Sequence, residues 1–266
     1  RGGVSGGRVP EVFDGLQGGG GRESAGRADP PLGTAAPPSP PVAAMSMNVF
    51  RAAGDLSHVI SIFMLLLRLI STQQAAGISL KTQELFLVVF LCRYLDLFTT
   101  FISWYNTIMK ILYICSTGYI VYMIRYKEPF RSKYDVSQDT FAHVKIGIAP
   151  CMVLAMLTML FQWSFDIFDL LWIFSIYLEA IAILPQLIVL HRYGEVENLT
   201  GHYIFFLGAY RALYILNWIY RSYYEKGYHH NWPGYIAGAC QTALYVDFFY
   251  YYIISKYYGG KMKLPS

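Results

Sequence analysis

The chain has 266 residues and a formal net charge of +4; it is 55% hydrophobic and 17% aromatic, with only 14% charged residues. Soluble domains carry roughly 25% charged residues, so the balance excludes an ordinary water-exposed domain and suits lipid.

Residues 1–46 contain 11 Gly and 7 Pro and no apolar run. Such a composition cannot bury enough surface to order itself, so the segment reads as a disordered, non-native leader without the build of a secretory signal peptide. Met47 is the expected native start, and 47–266 the folded domain.

A transmembrane helix needs about 20 mostly apolar residues. Such stretches occur near 48–70, 84–104, 107–124, 144–161, 167–190, 202–221 and 234–255, seven in all. Cys92, Cys115, Cys151 and Cys240 each fall inside a span without CxxC spacing and read as small apolar packing residues.

Charges fix an orientation by the positive-inside rule. One side receives ten Lys and Arg residues, among them Arg68, Arg125, Arg192, Lys256, Lys261 and Lys263; the other receives four, Arg51, Lys110, Arg221 and Lys226. The C-terminus is therefore expected in the cytosol and the N-terminus in the lumen. The sequon at Asn198 then lies on a cytosolic loop and is expected to be unmodified.

Thr82 and Arg93 recur 118 positions later as Thr200 and Arg211. If these are helices two and six, two parallel three-helix repeats flank a linker helix. That is the plan of the sugar-transporter group called SWEETs, or PQ-loop-like proteins; seven-helix plans without repeats remain open.

Arg93, Asp96, Glu179 and Arg211 lie within spans. Each charge left alone there costs about 2.5–3.5 kcal/mol, and four about 10–14 kcal/mol, against a net domain stability of about 5–15 kcal/mol. They must therefore face one another, a wet cavity or a ligand.

Helical spacing puts Arg51, Asp55 and His58 on one face of the first helix, and Arg93, Asp96 and Thr100 on one face of the second. Asp169, Trp172 and Glu179 share a stripe on the fifth, and Tyr210, Tyr214, Trp218 and Arg221 on the sixth. Any single aromatic here reads as an interfacial anchor. The arginines Arg51, Arg93 and Arg221 together, with few carboxylates beside them, point to an anionic ligand. His58, beside Arg51 and Asp55, is a candidate titrating group. The sequence has no nucleotide loop, HExxH or GxSxG motif, so no enzyme, cofactor, metal site or nucleic-acid partner is expected.

The segments MNVFRAAGDLSH (47–58), CRYLDLFTTFISWYNT (92–107), LWIFSIYLEAIAILPQL (171–187), FFLGAYRALYILNWIYR (205–221) and QTALYVDFFYYY (241–252) resemble the KDEL receptor family, the ER lumen protein-retaining receptors. The resemblance implies a luminal cavity that binds C-terminal Lys/His-Asp-Glu-Leu signals more tightly in the acidic Golgi than in the ER. It also implies residence in ER and cis-Golgi membranes and return of bound cargo in COPI-coated vesicles.

It further implies that Arg51, Arg93 and Arg221 meet the signal's acidic groups, that Trp172 and Trp218 flank its first residue, and that Asp96 lines the cavity. His58 corresponds to the pH sensor, and Glu179 with Tyr210 to a proton-linked hydrogen bond. Asp247 is implied in switching, and Lys256, Lys261 and Lys263 in coat binding. Asp169 departs from the family pattern, which has Glu there; one methylene less bears on the preferred first signal residue. The main alternative is a SWEET-like solute transporter, for which Pro185-Gln186 would serve, and a third is a signalling receptor. Three converging arginines favour carboxylates over sugars, and the cytosolic loops are short for a signalling receptor.

Overall fold

Small polar residues start most of the helices of this chain. In the computed structural model, which describes residues 48–162, 166–225, 228, 230–258 and 262–264, Asn48 caps α1 (Val49–Thr72) and Ser79 caps α2 (Leu80–Arg93). Ser103 caps α3 (Trp104–Tyr126), and Asp166 caps α5 (Ile167–Ile181). Each side-chain oxygen takes a free first-turn N–H.

After α3, a loop leads through a π-helical turn (His143–Ile148) into α4 (Ala149–Gln162). α6 (Leu184–Tyr193) continues α5, and α7 (Asn198–Tyr224), α8 (Trp232–Leu244) and α9 (Val246–Tyr258) follow. A two-residue ladder pairs β1 (Glu195–Val196) antiparallel to β2 (Met262–Lys263), a feature the apolar pattern does not announce.

The fold is all-α. Four helical stretches among the described residues are long and apolar enough to cross a membrane: Val49–Thr72, Trp104–Tyr126, His143–Phe161 and Ile167–Tyr193. Exposed apolar side chains such as Phe63, Leu154, Phe161 and Ile253 present a surface suited to lipid. All four cysteines are free thiols.

Three expected spans are interrupted, the one read as 234–255 at Tyr245 between α8 and α9. The stretch read as 84–104 stops being α-helical at Arg93 and passes through a single 3-10 turn, Leu95–Phe98. The Asp96 carbonyl accepts there from the Thr99 and Thr100 N–H groups at 3.1 and 2.8 Å, while its carboxylate is drawn to Lys110 of α3. Between α5 and α6, Pro185 lacks an N–H and its ring crowds the carbonyl four residues back, so the helix breaks at 182–183. The Gln186 N–H bonds the Thr82 hydroxyl at 3.0 Å instead.

α1 lies along α7, α2 contacts both α3 and α5, and α8 packs on α5 and α7. The α1–α7 seam is close: a Cβ on Gly54 would sit 3.0 Å from the Tyr214 ring, and Ser57 donates to the Phe206 carbonyl at 2.9 Å.

The loop between α3 and α4 is tied down by Asp139, which is buried. Its carboxylate accepts from the Ser79 hydroxyl (3.0 Å), the Lys81 N–H (3.2 Å) and the Tyr134 hydroxyl (2.6 Å). Burial pushes the Tyr134 hydroxyl well above its ordinary pKa. At the exposed edge, donors from Ser137 hold Asp135 below the usual carboxylate range, and Tyr193 also donates to it at 3.2 Å.

Candidate functional site

The charged residues of the spans gather between α1, α2, α3, α5 and α7. Glu179, placed by α5, forms ion pairs with Arg93 at the end of α2 and with Arg211 in mid-α7. The Tyr210 hydroxyl donates to the same carboxylate at 2.6 Å. Arg93 Nε donates to Ser175 Oγ at 3.1 Å, and that hydroxyl donates to the Trp172 carbonyl at 2.6 Å. Two guanidiniums on one buried carboxylate leave a net positive core.

His58 lies one helix away, 2% exposed. Its ring stacks between Tyr210 and Tyr113, with centroids at 4.2 and 4.5 Å, and its Nδ1 has no hydrogen-bond partner among the described residues. One turn earlier, Asp55 accepts from the Tyr105 hydroxyl at 2.8 Å and from the Tyr214 hydroxyl. The first-helix face expected from spacing thus ends on the tyrosines of α3 and α7.

Arg51 opens onto a cavity of about 10 Å³, lined with Asp55, Tyr94, Tyr105, Asn106, Met109, Lys110 and Tyr113, room for about one water. Lys110, 3% exposed, holds Asp96 at 2.6 Å. Arg221 pairs with Glu225 one turn on, with N–O distances of 2.5 and 3.1 Å, and stacks over the Tyr228 ring at 4.8 Å.

The arginines were expected to converge in one wet pocket with few carboxylates. In this structure only Arg51 lines that cavity, while Arg93 and Arg221 hold carboxylates of the chain itself. Among the described residues, Arg93 and Arg211 share Glu179, Lys110 pairs with Asp96, Arg221 pairs with Glu225, and Arg51 lines the cavity with Asp55.

Trp218 is buried against Tyr235, with centroids at 5.3 Å; a Cβ on Gly238 would lie 2.7 Å from its ring. Trp172 is buried and Asp169 half-buried in the first turn of α5. Away from this cluster, Asp247 lies 3.4 Å from His191. Lys256 reaches Asn198 at 3.4 Å and Lys263 reaches Glu195 at 3.7 Å. Lys261 lies outside the described residues, as does the leader 1–46.

One member, Lys110, was not singled out from sequence. Lys110 was counted as a luminal charge only, although its spacing from Tyr113 marks an inward face. Arg211, the repeat counterpart of Arg93 and one of the four intramembrane charges expected to need a partner, shares Glu179 with it.

The sequence profile of the ER lumen protein retaining receptors matches residues 74–221. The receptor A of Arabidopsis thaliana is 53% identical over 220 residues, 83% of this chain and 100% of the relative. The chain belongs to the ER lumen protein retaining receptor family. Receptor 2 of Bos taurus is 49% identical over 220 residues, 83% of this chain and 100% of its own length. The Plasmodium falciparum receptor is 48% identical over 219 residues, 82% and 98% respectively.

Proposed function

We propose that this receptor binds C-terminal retrieval signals of the Lys/His-Asp-Glu-Leu type from the lumen and returns escaped ER residents from the cis-Golgi. The observation that carries the reading is the near-half identity to named retaining receptors along their whole length. The arginines add the chemistry, Arg93 and Arg211 sharing the one Glu179 carboxylate and Arg51 lining the cavity, because such a site favours a ligand with several carboxylates.

Glu225 and Asp96, which pair with Arg221 and Lys110, act as placeholders for the signal's carboxylates. Acidic groups of the signal replace them, Arg51 and Arg221 taking side-chain carboxylates and Arg93 the terminal one. Trp172 and Trp218, with Asp169, frame the cationic first residue, and Asp96 lines the cavity. Exchanging one buried ion pair for another keeps the desolvation cost low, whereas a sugar would leave the cations unmatched; the transporter reading is therefore not favoured.

His58 serves as the pH sensor, with the Glu179–Tyr210 hydrogen bond as the element it biases. A histidine's unperturbed pKa of about 6.5 spans near-neutral and mildly acidic lumens. If the protonated ring favours the bound state, protonation and binding strengthen each other by one coupling free energy. Affinity then rises on acidification.

Seven crossings in a three-one-three arrangement accommodate these helices when α5 with α6, and α8 with α9, are each one span. Contacts related by the 118-residue offset support the repeat. Arg68 of α1 pairs with Glu197, the N-cap of α7, at 2.5 Å; Gln186 of α6 accepts from the N–H of Ser79, the N-cap of α2, at 2.9 Å. Each residue of one pair stands 118 positions from its counterpart. The N-terminus is luminal and the C-terminus cytosolic, where Lys256, Lys261 and Lys263 form the COPI signal and Asp247 takes part in switching.

The test is titration of the purified receptor with a peptide ending in Lys-Asp-Glu-Leu at mildly acidic and neutral pH, beside a C-terminally amidated control. Tight, acid-favoured binding of the free acid alone is expected. Equal affinity for the amide would refute carboxylate recognition.

A further inference from the structure

Far from the peptide cluster, α6 carries a second feature. Leu184, Leu187, Ile188, His191 and Arg192 fall at i, i+3, i+4, i+7 and i+8, one helix face, and line an open groove of about 440 Å³. The apolar members come first and the basic ones last. From Leu184 to Arg192 the helix rises about 12 Å, most of one leaflet of about 15 Å, half the ~30 Å hydrocarbon core.

The basic end is fixed in place. Arg192 Nη1 donates to the Gln138 carbonyl and the Thr140 hydroxyl, both at 2.7 Å, which leaves the rest of an exposed guanidinium available. His191 holds the Leu187 carbonyl at 2.8 Å through Nδ1, and its Nε2 faces Asp247. Arg131 and Lys133, both exposed, stand on the loop that Arg192 anchors, with Glu128, Asp135 and the buried Asp139 as its acidic members.

We propose that this groove holds one anionic phospholipid of the cytosolic leaflet, an acyl chain along Leu184, Leu187 and Ile188 and the phosphate at Arg192. The inference rests on the orientation proposed above, not on peptide binding. Its warrant is charge complementarity: basic recesses beside helices at the cytosolic interface attract anionic headgroups, and a planar guanidinium with free N–H groups suits phosphate oxygens. An apolar occupant alone would fill the stripe and leave that cation unmatched.

Native mass spectrometry of the full chain in detergent tests it, with dioleoyl phosphatidylserine, dioleoyl phosphatidylcholine and soluble glycerophosphoserine as probes. Retention of one phosphatidylserine in preference to phosphatidylcholine is expected, with no retention of glycerophosphoserine. Arg192→Gln should lower phosphatidylserine occupancy about five-fold, the effect of one interfacial charge, and Arg192→Lys should restore part of it. Ile188→Trp should displace the lipid with the charge intact. An unchanged thermal midpoint in detergent shows that each variant is folded. Equal retention of both phospholipids, retention of glycerophosphoserine, or indifference to Arg192→Gln overturns the proposal.

Discussion

The two polar regions of this receptor are built differently. Around Glu179, buried polar atoms lack hydrogen-bond partners among the described residues: Arg93 Nη2, Arg211 Nε, His58 Nδ1, Asp96 Oδ1 and Arg51 Nε. Asp139 and Gln186 themselves are well served: Asp139 accepts from three residues, and Gln186 engages Ser79, Gly77 and Thr82. Satisfied networks rigidify a fold, while partly satisfied ones hold capacity for rearrangement or a ligand. The first region is thus the one suited to change partners, and the second the frame against which it moves.

The largest expected break in that contrast is Glu179→Ala, which leaves two guanidiniums buried without their carboxylate. It should cost about 3–5 kcal/mol, read as a fall in folded yield and in thermal midpoint in detergent. Combining it with Arg93→Met and Arg211→Met should recover much of the stability, since apolar replacement of a buried ion cluster is often neutral, while peptide binding stays lost. Recovery of binding in the triple variant would contradict the role given to Arg93.

Arg51→Ala removes the cation at the open cavity without touching an internal ion pair. Loss of a charge-assisted contact of about 1.5–3 kcal/mol should weaken peptide binding by more than ten-fold at unchanged thermal stability. On the other side, Gln186→Ala should cost about 1–3 kcal/mol of stability by stranding the Ser79 N–H and Gly77 carbonyl. Its peptide affinity should match wild type; a matching loss of affinity would erase the distinction between frame and site.

Much of the cluster was legible before any coordinates, because an intramembrane charge needs a partner and helical spacing says which face it shares. Arg51, Asp55 and His58 do line one side of α1, and Glu179 does lie among the inward residues of α5. The resemblance paired Glu179 with Tyr210, as the structure does, but the ion-pair partners were not legible. Whether Arg93 meets Glu179 or a ligand depends on how α2, α5 and α7 cross, which periodicity within each helix leaves open. The helix end at Arg93 was missed for a similar reason: Leu95, Leu97 and Phe98 continue the apolar pattern, and only the Asp96–Lys110 pair and the carbonyl of Asp96 end the helix there. The β1–β2 ladder is two residues long and carries no alternation to read.

His58→Ala addresses how the changeable region senses its surroundings. Peptide affinity at mildly acidic pH should fall toward the neutral value, flattening the pH profile and leaving neutral binding little altered. An intact acid preference would move the sensor to Glu179 and its Tyr210 hydrogen bond.

The smallest effect belongs to the exposed edge of the frame, at Asp135. Its carboxyl is held below the usual range in the folded state, chiefly by the Ser137 hydroxyl. The stability this contributes is therefore present above the unfolded carboxylate pKa and lost as pH falls through the lowered folded one. Asp135→Asn should accelerate proteolysis of the loop between α3 and α4 slightly at neutral pH and not at strongly acidic pH, where wild type has also lost the contact. Peptide binding should be the same at either pH. A change in the pH profile of binding would mean that the frame titrates with the site, and the separation between the two regions would not hold.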